Sequence, residues 1–453
     1  MFKSSCVLRE IKESWESILL ISFLILVSRI PFIYNSPGFD LDNWRVLWTG
    51  KYIHTHGRYI ASRFPGYPVS EYIASFVYDV PYYIFNLITV IFSVLCSIIF
   101  FLILKKLRYK ESLLAAITFS FIQTIVINSM VSMDYMWSLF FMLLATYAIL
   151  ENKFSVTGLL LGLMVVIRFT SICFIPAFFY LIYKMSNKKI NVLIKLSFIL
   201  FITIFVAFTP VFRTYGLNIF PRLSIWKFEP KKIFSFLTLY NFGFLGTITL
   251  GISIVIMIWS IVKKVKIDIQ NHNPLKIFSV IIIFLNIIII IRYPFENAYL
   301  IPMIPFLLLL ICVTWENKIM KRILFISLII SPYLFHVSSM SFKLKGEVFV
   351  NEDLEDSMIN YTRKLNDRIK NIDGKKLIIL GNSFFVYQIM FQNNKFENTI
   401  FVNHPKESYV QDKIKNGYKV YFTSSAIENV NEFYNYDIRT YGQQIIDEIK
   451  LDR

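Results

Sequence analysis

Charged residues are scarce in this chain of 453 residues: Lys, Arg, Asp and Glu make up 17% of it, whereas 56% is hydrophobic. Only 15 glycines and 15 prolines are present, too few for a barrel built on many tight turns, and the apolar runs do not alternate with period two. The four cysteines, three of them within apolar runs, do not suggest a disulfide framework. These shortages exclude a membrane β-barrel and a disulfide-stapled domain.

Apolar runs recur along most of the first 340 residues, and several reach about 20 residues, enough for a helix to cross a hydrocarbon core. A soluble protein would need a core made of nearly the whole chain. The pattern therefore predicts an all-α polytopic membrane protein. We expect about eleven transmembrane helices, at 15–33, 82–104, 112–131, 135–150, 155–168, 170–184, 190–209, 238–262, 277–292, 298–314 and 323–340.

The pair 155–168 and 170–184 has an alternative: each piece is short, and one long tilted helix with Arg168 inside it would replace both. That alternative would reverse the sidedness of every later segment. Lysine and arginine counts favour two helices, a cytoplasmic N-terminus and an external C-terminus in the plasma membrane, although the opposite loop 210–237 is also basic. The supporting residues are Lys3, Arg9, Lys12, Lys105, Lys106, Arg108, Lys110, Lys153, Lys184, Lys188, Lys189, Lys263, Lys264, Lys266, Lys318, Lys321 and Arg322.

The composition changes near Lys343, which divides the chain into a membrane domain, 1–342, and a polar tail, 343–453. The tail has 16 basic and 16 acidic residues, so the formal net charge of +17 belongs entirely to the membrane domain. This excess is spread over membrane-flanking loops. It disfavours nucleic-acid binding and favours attraction to anionic membrane lipid and to phosphate.

The tail is predicted to form a small external α/β domain. A helix is expected over 353–370, strands over 376–380, 399–402 and 418–422, and a turn at 381–383. This is the rhythm of βαβ units. One glycine after a strand does not make a dinucleotide fingerprint, so no organic cofactor is indicated.

The external loop 34–81 concentrates charge just after the first span. Asp40 and Asp42 are candidates for a general base or for ligands of a divalent cation such as Mg²⁺ or Mn²⁺. Alternatively, either could cap a helix that begins near Asn43. His54 and His56, without further ligands, do not predict a zinc site.

That loop helix is itself predicted by the spacing of apolar side chains. Leu41, Trp44, Trp48 and Tyr52 recur at helical intervals and form one apolar face. We expect the helix to rest at the membrane interface with its tryptophans in the headgroup belt. Packing against protein is the alternative role of this face.

Ionisable residues near the ends of other spans indicate a site. Asp134 lies among apolar neighbours where a helix re-enters the membrane, and a carboxylate there costs on the order of a few kcal/mol unless it is paired or hydrated. Arg63, Arg168 and Arg292 lie on the same predicted side, the last two at the ends of spans, and an arginine can hold phosphate oxygens in a fixed geometry. Snorkelling to the interface is the alternative for each. Arg29, inside the first span, is also expected to pair with an anion, either a carboxylate or a lipid phosphate.

Three stretches occur in an order and spacing that resemble the GT-C superfamily of polytopic glycosyltransferases, over roughly residues 15–320. This superfamily includes protein O-mannosyltransferases and aminoarabinose transferases, and an external soluble C-terminal domain also occurs in it. The stretches are 40–42 (DLD) with 63–68 (RFPGYP), 133–134 (MD) with 158–162 (GLLLG) and 168–170 (RFT), and 292–302 (RYPFENAYLIP).

The resemblance implies inverting transfer of a sugar from a polyprenyl-phosphate donor to a glycan, lipid or protein acceptor on the outer face. Two other classes remain open: a polysaccharide polymerase or ligase, whose key external loop usually comes late among the spans, and a lipid-linked sugar flippase or transporter, which would place charges mid-membrane and show inverted repeats or broken helices. For the transferase, the implied site comprises catalytic Asp40, Asp42 and Asp134, donor-phosphate ligands Arg63, Arg168 and Arg292, and substrate-binding Tyr67, Glu296 and Tyr299.

Overall fold

The structure is a computed structural model, and it describes residues 14–186, 189–219, 229–263, 274–315, 317–337, 342–391 and 396–446. Part of the basic loops used to predict orientation lies outside the described residues: the N-terminal Lys3, Arg9 and Lys12, then Lys188, and Lys264 with Lys266.

Helices occupy every predicted span, as the apolar runs require. Five of the described helices are long and apolar enough to cross a membrane: α1 with the turn that follows it, α4, α10, α12 and α13. The protein is therefore a helical membrane protein, and eleven crossings remain a prediction. The helices are α1 (Trp15–Arg29), α4 (Tyr83–Lys106), α5 (Ser112–Phe121), α6 (Gln123–Asn128), α7 (Tyr135–Leu150), α8 (Phe154–Ile167), α9 (Ile175–Met185), α10 (Lys189–Tyr215), α11 (Pro230–Leu237), α12 (Leu239–Lys263), α13 (Pro274–Arg292), α14 (Met303–Thr314) and α15 (Lys318–Leu334).

The predicted loop after the first span contains two further helices, α2 (Leu41–His56) and α3 (Pro68–Phe76). Asp40 has extended backbone angles and its Oδ1 accepts a hydrogen bond from the backbone N–H of Asp42 at 2.8 Å. This confirms that Asp40 caps α2, whose first-turn N–H groups have no partner inside the helix.

Several apolar helices are interrupted, and each interruption leaves backbone polar groups without their helical partners inside an apolar segment. Ile122 separates α5 from α6 with extended angles, and Gly243 breaks α12 with φ +69°. Arg168 is also extended (φ −143°, ψ 101°) and separates α8 from a 3₁₀ turn and α9. The interpretation of 155–184 as one continuous helix is therefore wrong.

Arg29 supplies a hydrogen-bond donor to a backbone carbonyl beside one of these helix breaks. Its guanidinium is fully buried, donates to the Ser120 carbonyl and lies 3.3 Å from Ser129 Oγ, over the Phe121 ring. Ser120 and Phe121 end α5 just before the break at Ile122, where carbonyls lack intrahelical donors, and Ser129 follows the last residue of α6. The anion expected beside Arg29 is not found among the described residues, because carbonyl, hydroxyl and aromatic groups surround the cation instead.

The C-terminal domain, described as residues 342–391 and 396–446, contains a small parallel sheet, as predicted. Its strand order is β4-β3-β5-β6, and a short antiparallel pair, β1–β2, precedes it. Strand β6 was not predicted, since a glycine and two exposed glutamines give it no apolar alternation. The elements are β1 (His336–Val337), β2 (Phe342–Lys343), α16 (Glu347–Lys370), β3 (Lys376–Ile379), α17 (Phe384–Met390), β4 (Thr399–Val402), α18 (Glu407–Lys415), β5 (Lys419–Thr423), α19 (Ser424–Tyr434) and β6 (Gly442–Ile446).

The C-terminal domain packs on the loop that carries α2. The Trp48 ring lies 5.8 Å from that of Phe384 and 5.3 Å from that of Phe385, and Arg45 lies over the Phe385 ring at 4.9 Å. Trp48 therefore contacts protein rather than the headgroup belt, because α17 covers the apolar face of α2. We call the end of the helical bundle that bears this loop and the C-terminal domain the loop face.

Buried Glu355 of α16 makes stability at this contact depend on pH. The residue is 9% exposed, and burial raises its pKa to about 8 despite a hydrogen bond to Ser36. Between about pH 4.3, where an exposed glutamate titrates, and pH 8, the folded protein keeps a proton that the unfolded chain has lost. Stability should therefore fall as pH rises through this window.

We expect Glu355→Gln, which mimics the protonated form, to raise the thermal unfolding temperature in detergent at about pH 9 and to change it little at about pH 5. Asp367→Asn, at an exposed position of the same helix, is the matched control and should show no such difference. An equal shift at both pH values would contradict this role for Glu355.

Candidate functional site

Asp134 is the centre of the candidate site. It is 1% exposed and immediately precedes α7. Its Oδ1 accepts from Arg168 Nη1 at 2.7 Å, and its Oδ2 accepts from Arg63 Nη2 at 3.2 Å and from Ser70 Oγ at 3.2 Å. The carboxylate is thus both paired and hydrogen-bonded, as a buried charge must be. The structure brings together three residues that the sequence assigned to the site, Arg63 from the first stretch and Asp134 and Arg168 from the second.

Local backbone geometry aims both arginines at Asp134. Arg168 lies at the extended residue after α8, so its side chain leaves the helix end instead of following the helix surface. Arg63 lies in the connection between α2 and α3. The break in α8 is therefore part of what forms the site.

Aromatic rings cover the two guanidinium groups. The Arg168 guanidinium carbon lies 3.4 Å from the ring centre of Tyr135 and 5.5 Å from that of Tyr299, while that of Arg63 lies 4.4 Å from Tyr67. Aromatic faces attract cations and limit their hydration. Tyr67 and Tyr299, predicted to bind substrate, are placed here as neighbours of the arginines.

Asp42 connects the start of α2 to this cluster. Its Oδ1 lies 3.1 Å from Arg45 Nη1, and its Oδ2 lies 3.5 Å from Arg63 Nη1. Arg63 therefore bridges Asp42 and Asp134. The helical spacing of three residues places Arg45 beside Asp42, and the structure confirms this contact.

A third carboxylate, Glu296, stands beside Asp40 and Asp42. One ligand oxygen from each of the three lies within 4.8 Å of the others, and Tyr135 donates its hydroxyl hydrogen to Glu296. Burial, with a further contribution from Asp40, raises the pKa of Glu296 to about 7. Three carboxylates so close together fit a hard divalent cation such as Mg²⁺ or Mn²⁺, which extends the predicted metal pair by one ligand.

Arg292 is placed differently from the other predicted arginines. It ends α13 and its guanidinium lies 4.9 Å from the ring centre of Tyr293. In the described part of the chain, no hydrogen bond or ion pair connects it to Asp134, Asp42 or Glu296. Its predicted role at the donor phosphate remains a prediction.

Glu71 was missed as a determinant of the site. It is fully buried and accepts from the backbone N–H and hydroxyl of Ser62, both at 2.6 Å, from the Tyr67 N–H at 3.1 Å, and from the Tyr59 hydroxyl. Burial raises its pKa. These bonds fold the connection that presents Arg63. A glutamate in the first turn after a helix-starting proline was the available signal.

The site opens into a cavity of about 620 Å³ between the loop face and the C-terminal domain. Asp40, Tyr135 and Glu296 line one side of it, and α16 lines the other. Basic groups also reach the cavity from α11 and from the β1–β2 pair, namely Lys232, His336 and Lys343. The cavity is therefore charged and large enough for part of a polar substrate.

No protein-family model matches the chain, and no curated protein matches it. What the site can do follows from its geometry. Its carboxylates can accept a proton or hold a cation, and its arginines can neutralise an anion.

We expect Asp134 to contribute more than Asp42 to the free energy of unfolding. Asp134→Asn leaves two buried guanidinium groups without their shared counter-charge, and we expect a loss of about 3–5 kcal/mol in the free energy of unfolding. Asp42→Asn, at a side chain that is 21% exposed, should cost about 1 kcal/mol or less. Chemical denaturation in detergent measures both.

The double variant Asp134→Asn/Arg168→Gln tests whether charge balance is the cause. It removes one cation together with the carboxylate, so it should lose less stability than the sum of the two single variants. Additive losses, or an Asp134→Asn variant as stable as the unmodified protein, would contradict this account.

Proposed function

We propose that the protein is an integral-membrane glycosyltransferase that moves a sugar, with inversion, from a polyprenyl-phosphate donor to an acceptor at the loop face. The observation that carries the proposal is the ion-pair cluster of Asp42 and Asp134 with Arg63 and Arg168 at the helix ends, next to Asp40 and Glu296, which line the cavity. Carboxylates can take the proton of an attacking hydroxyl or amine, and arginines can neutralise a departing lipid phosphate. The resemblance to the GT-C superfamily supports the same reaction.

Unsatisfied donors support the phosphate-binding part. Among the described residues, the buried Nε atoms of Arg63 and Arg45 have no hydrogen-bond partner. A buried donor left without an acceptor costs free energy of about 1–3 kcal/mol. A phosphate oxygen of the donor would satisfy them, and Arg63 would hold phosphate while its Nη2 remains on Asp134.

The base is assigned to Asp40, with Asp42 as the alternative. Asp40 lines the cavity, where an acceptor would approach, whereas Asp42 is shared between Arg45 and Arg63. Both oxygens of Asp42 are already engaged by guanidinium groups, which leaves this carboxylate less accessible to an incoming acceptor. Glu296, with a pKa of about 7, is suited to exchange hydrogen bonds with sugar hydroxyls.

A divalent cation, if one is used, would be held by Asp40, Asp42 and Glu296 and would add positive charge next to the leaving phosphate. The acceptor, a glycan, lipid or protein, would enter through the cavity under α16. We place the loop face outside the plasma membrane, with the N-terminus in the cytoplasm. The interrupted helices at Ile122, Arg168 and Gly243 are a feature that a flippase would also have. The position of the charged cluster at helix ends favours the transferase.

The first test concerns the base. Asp40→Asn should lower turnover by about 10²–10⁴-fold, the usual contribution of a general base, while asparagine still caps α2 and preserves stability. Turnover is measured with a polyprenyl-phosphate hexose and a range of acceptors. Asp42→Asn is the comparison variant and should lose less.

Chelation separates the two roles of the carboxylates. Loss of activity with EDTA and its recovery with Mg²⁺ or Mn²⁺ would assign Asp40 to a metal site rather than to direct proton transfer. Full activity of both asparagine variants, with or without chelator, would remove these aspartates from the mechanism.

The second test concerns the donor phosphate. Arg63→Gln and Arg168→Lys should each lower kcat/KM for the donor by about 10- to 150-fold, since one charge-assisted hydrogen bond is worth about 1.5–3 kcal/mol. Lysine at 168 keeps the charge beside Asp134 and so limits the effect on folding. Unchanged donor kinetics in both variants would contradict the assignment.

Arg292→Gln is the comparison variant for Arg63→Gln and Arg168→Lys. The sequence resemblance predicts a loss similar to that of the other arginines, whereas its position over Tyr293 favours a smaller change. Each variant should be checked by thermal unfolding, so that loss of donor use is separated from loss of fold.

A further inference from the structure

A second pocket, of about 550 Å³, lies on the loop face apart from the candidate site. It is formed by the end of α2, the connection that follows it, α3 and the last turns of α10. Its lining includes Tyr52, Arg58, Tyr59, Tyr72, Arg213 and Tyr215. None of these residues contributes to the cluster around Asp134.

Two arginines from separate elements meet at this pocket without a described counter-charge. Arg58 follows α2 and Arg213 lies in the last turn of α10, and both are exposed. Within the described residues, neither forms an ion pair with a carboxylate. Two like charges brought to one pocket favour an anionic ligand, and a guanidinium group matches phosphate best.

The surface below the pocket indicates that this phosphate belongs to a lipid. α10 is one of the five helices able to cross a membrane. It presents Phe198, Phe201, Phe205 and Val206 outward, with 64%, 64%, 58% and 63% of their surfaces exposed. This apolar stripe ends about two turns before Arg213. A chain lying along the stripe would place its headgroup among the arginines, at the depth where tyrosines also favour the interface.

We propose that this pocket binds the phosphodiester headgroup of an anionic bilayer phospholipid, whose acyl chains lie along α10. The polyprenyl-phosphate donor is a less suitable occupant, because neither Arg63 nor Asp134 lines this pocket, and the Tyr59 hydroxyl at its wall is already bound to buried Glu71. The bound lipid would hold the connection from Arg58 to Tyr59 against α10, where Tyr215 already accepts the Ala61 N–H at 3.0 Å. This inference does not depend on the proposed transferase activity.

The experiment uses the full chain in nanodiscs with spin-labelled phosphatidylglycerol and phosphatidylcholine, and measures the motionally restricted lipid fraction. The unmodified protein should prefer phosphatidylglycerol. Arg58→Gln/Arg213→Gln should reduce that preference by about five- to thirty-fold, since each cation near the surface contributes about 1 kcal/mol. Arg58→Lys/Arg213→Lys should retain most of it.

Arg363→Gln/Arg368→Gln removes the same charge from exposed positions of α16 and is the matched control, which should keep the full preference. An unchanged preference in Arg58→Gln/Arg213→Gln would overturn the proposal. Displacement of phosphatidylglycerol by millimolar inorganic phosphate would assign a free-phosphate site instead, and displacement by trace polyprenyl phosphate would assign a donor site. Either result would also overturn it.

Discussion

The carboxylate of Asp134, shared between Arg63 and Arg168, is the interaction on which the rest of the loop face depends. It joins the start of α7, the break after α8 and the connection between α2 and α3. In apolar surroundings, none of these three charges is stable alone. Each of the three elements is therefore held in place because its charged side chain is needed to balance the charges on the others. The aromatic rings around the guanidinium groups exclude water from these ion pairs.

The interruptions in the apolar helices also bring buried polar groups together. A continuous helix pairs its own backbone N–H and C=O groups, so none of them is available to bind a side chain. Breaks at Ile122 and Arg168 expose carbonyls or redirect a side chain at helix ends, and buried polar groups then gather there. Arg29 satisfies the Ser120 carbonyl at one break, while Arg168 reaches Asp134 from the other. The structural role of Arg29 and the candidate functional role of Arg168 thus follow from the same constraint, which is that polar groups at a break in a buried helix need partners.

Local sequence patterns predicted the features that depend on residues close together in the chain. Apolar runs located the membrane helices, and β-rich runs located three of the four parallel strands. Scarcity of charge singled out Asp134 and the arginines that meet it. Partners were harder to predict, because burial of Arg29 does not say whether a carboxylate or a carbonyl faces it. Glu71 was missed since its four hydrogen bonds come from a folded connection that has no periodic pattern, and the cover over Trp48 comes from residues more than 300 positions away.

The charges of the candidate site constrain how it can be filled. Four carboxylates, Asp40, Asp42, Asp134 and Glu296, face three guanidinium groups, those of Arg45, Arg63 and Arg168. Fully ionised, the cluster carries one negative charge, and an incoming lipid phosphate would add to it. If the proposed phosphate donor binds, a proton or a cation that enters with it would offset the added negative charge. Glu296, whose pKa of about 7 makes protonation inexpensive at neutral pH, is the group through which a proton would enter, and the oxygens around it are those that would hold a cation.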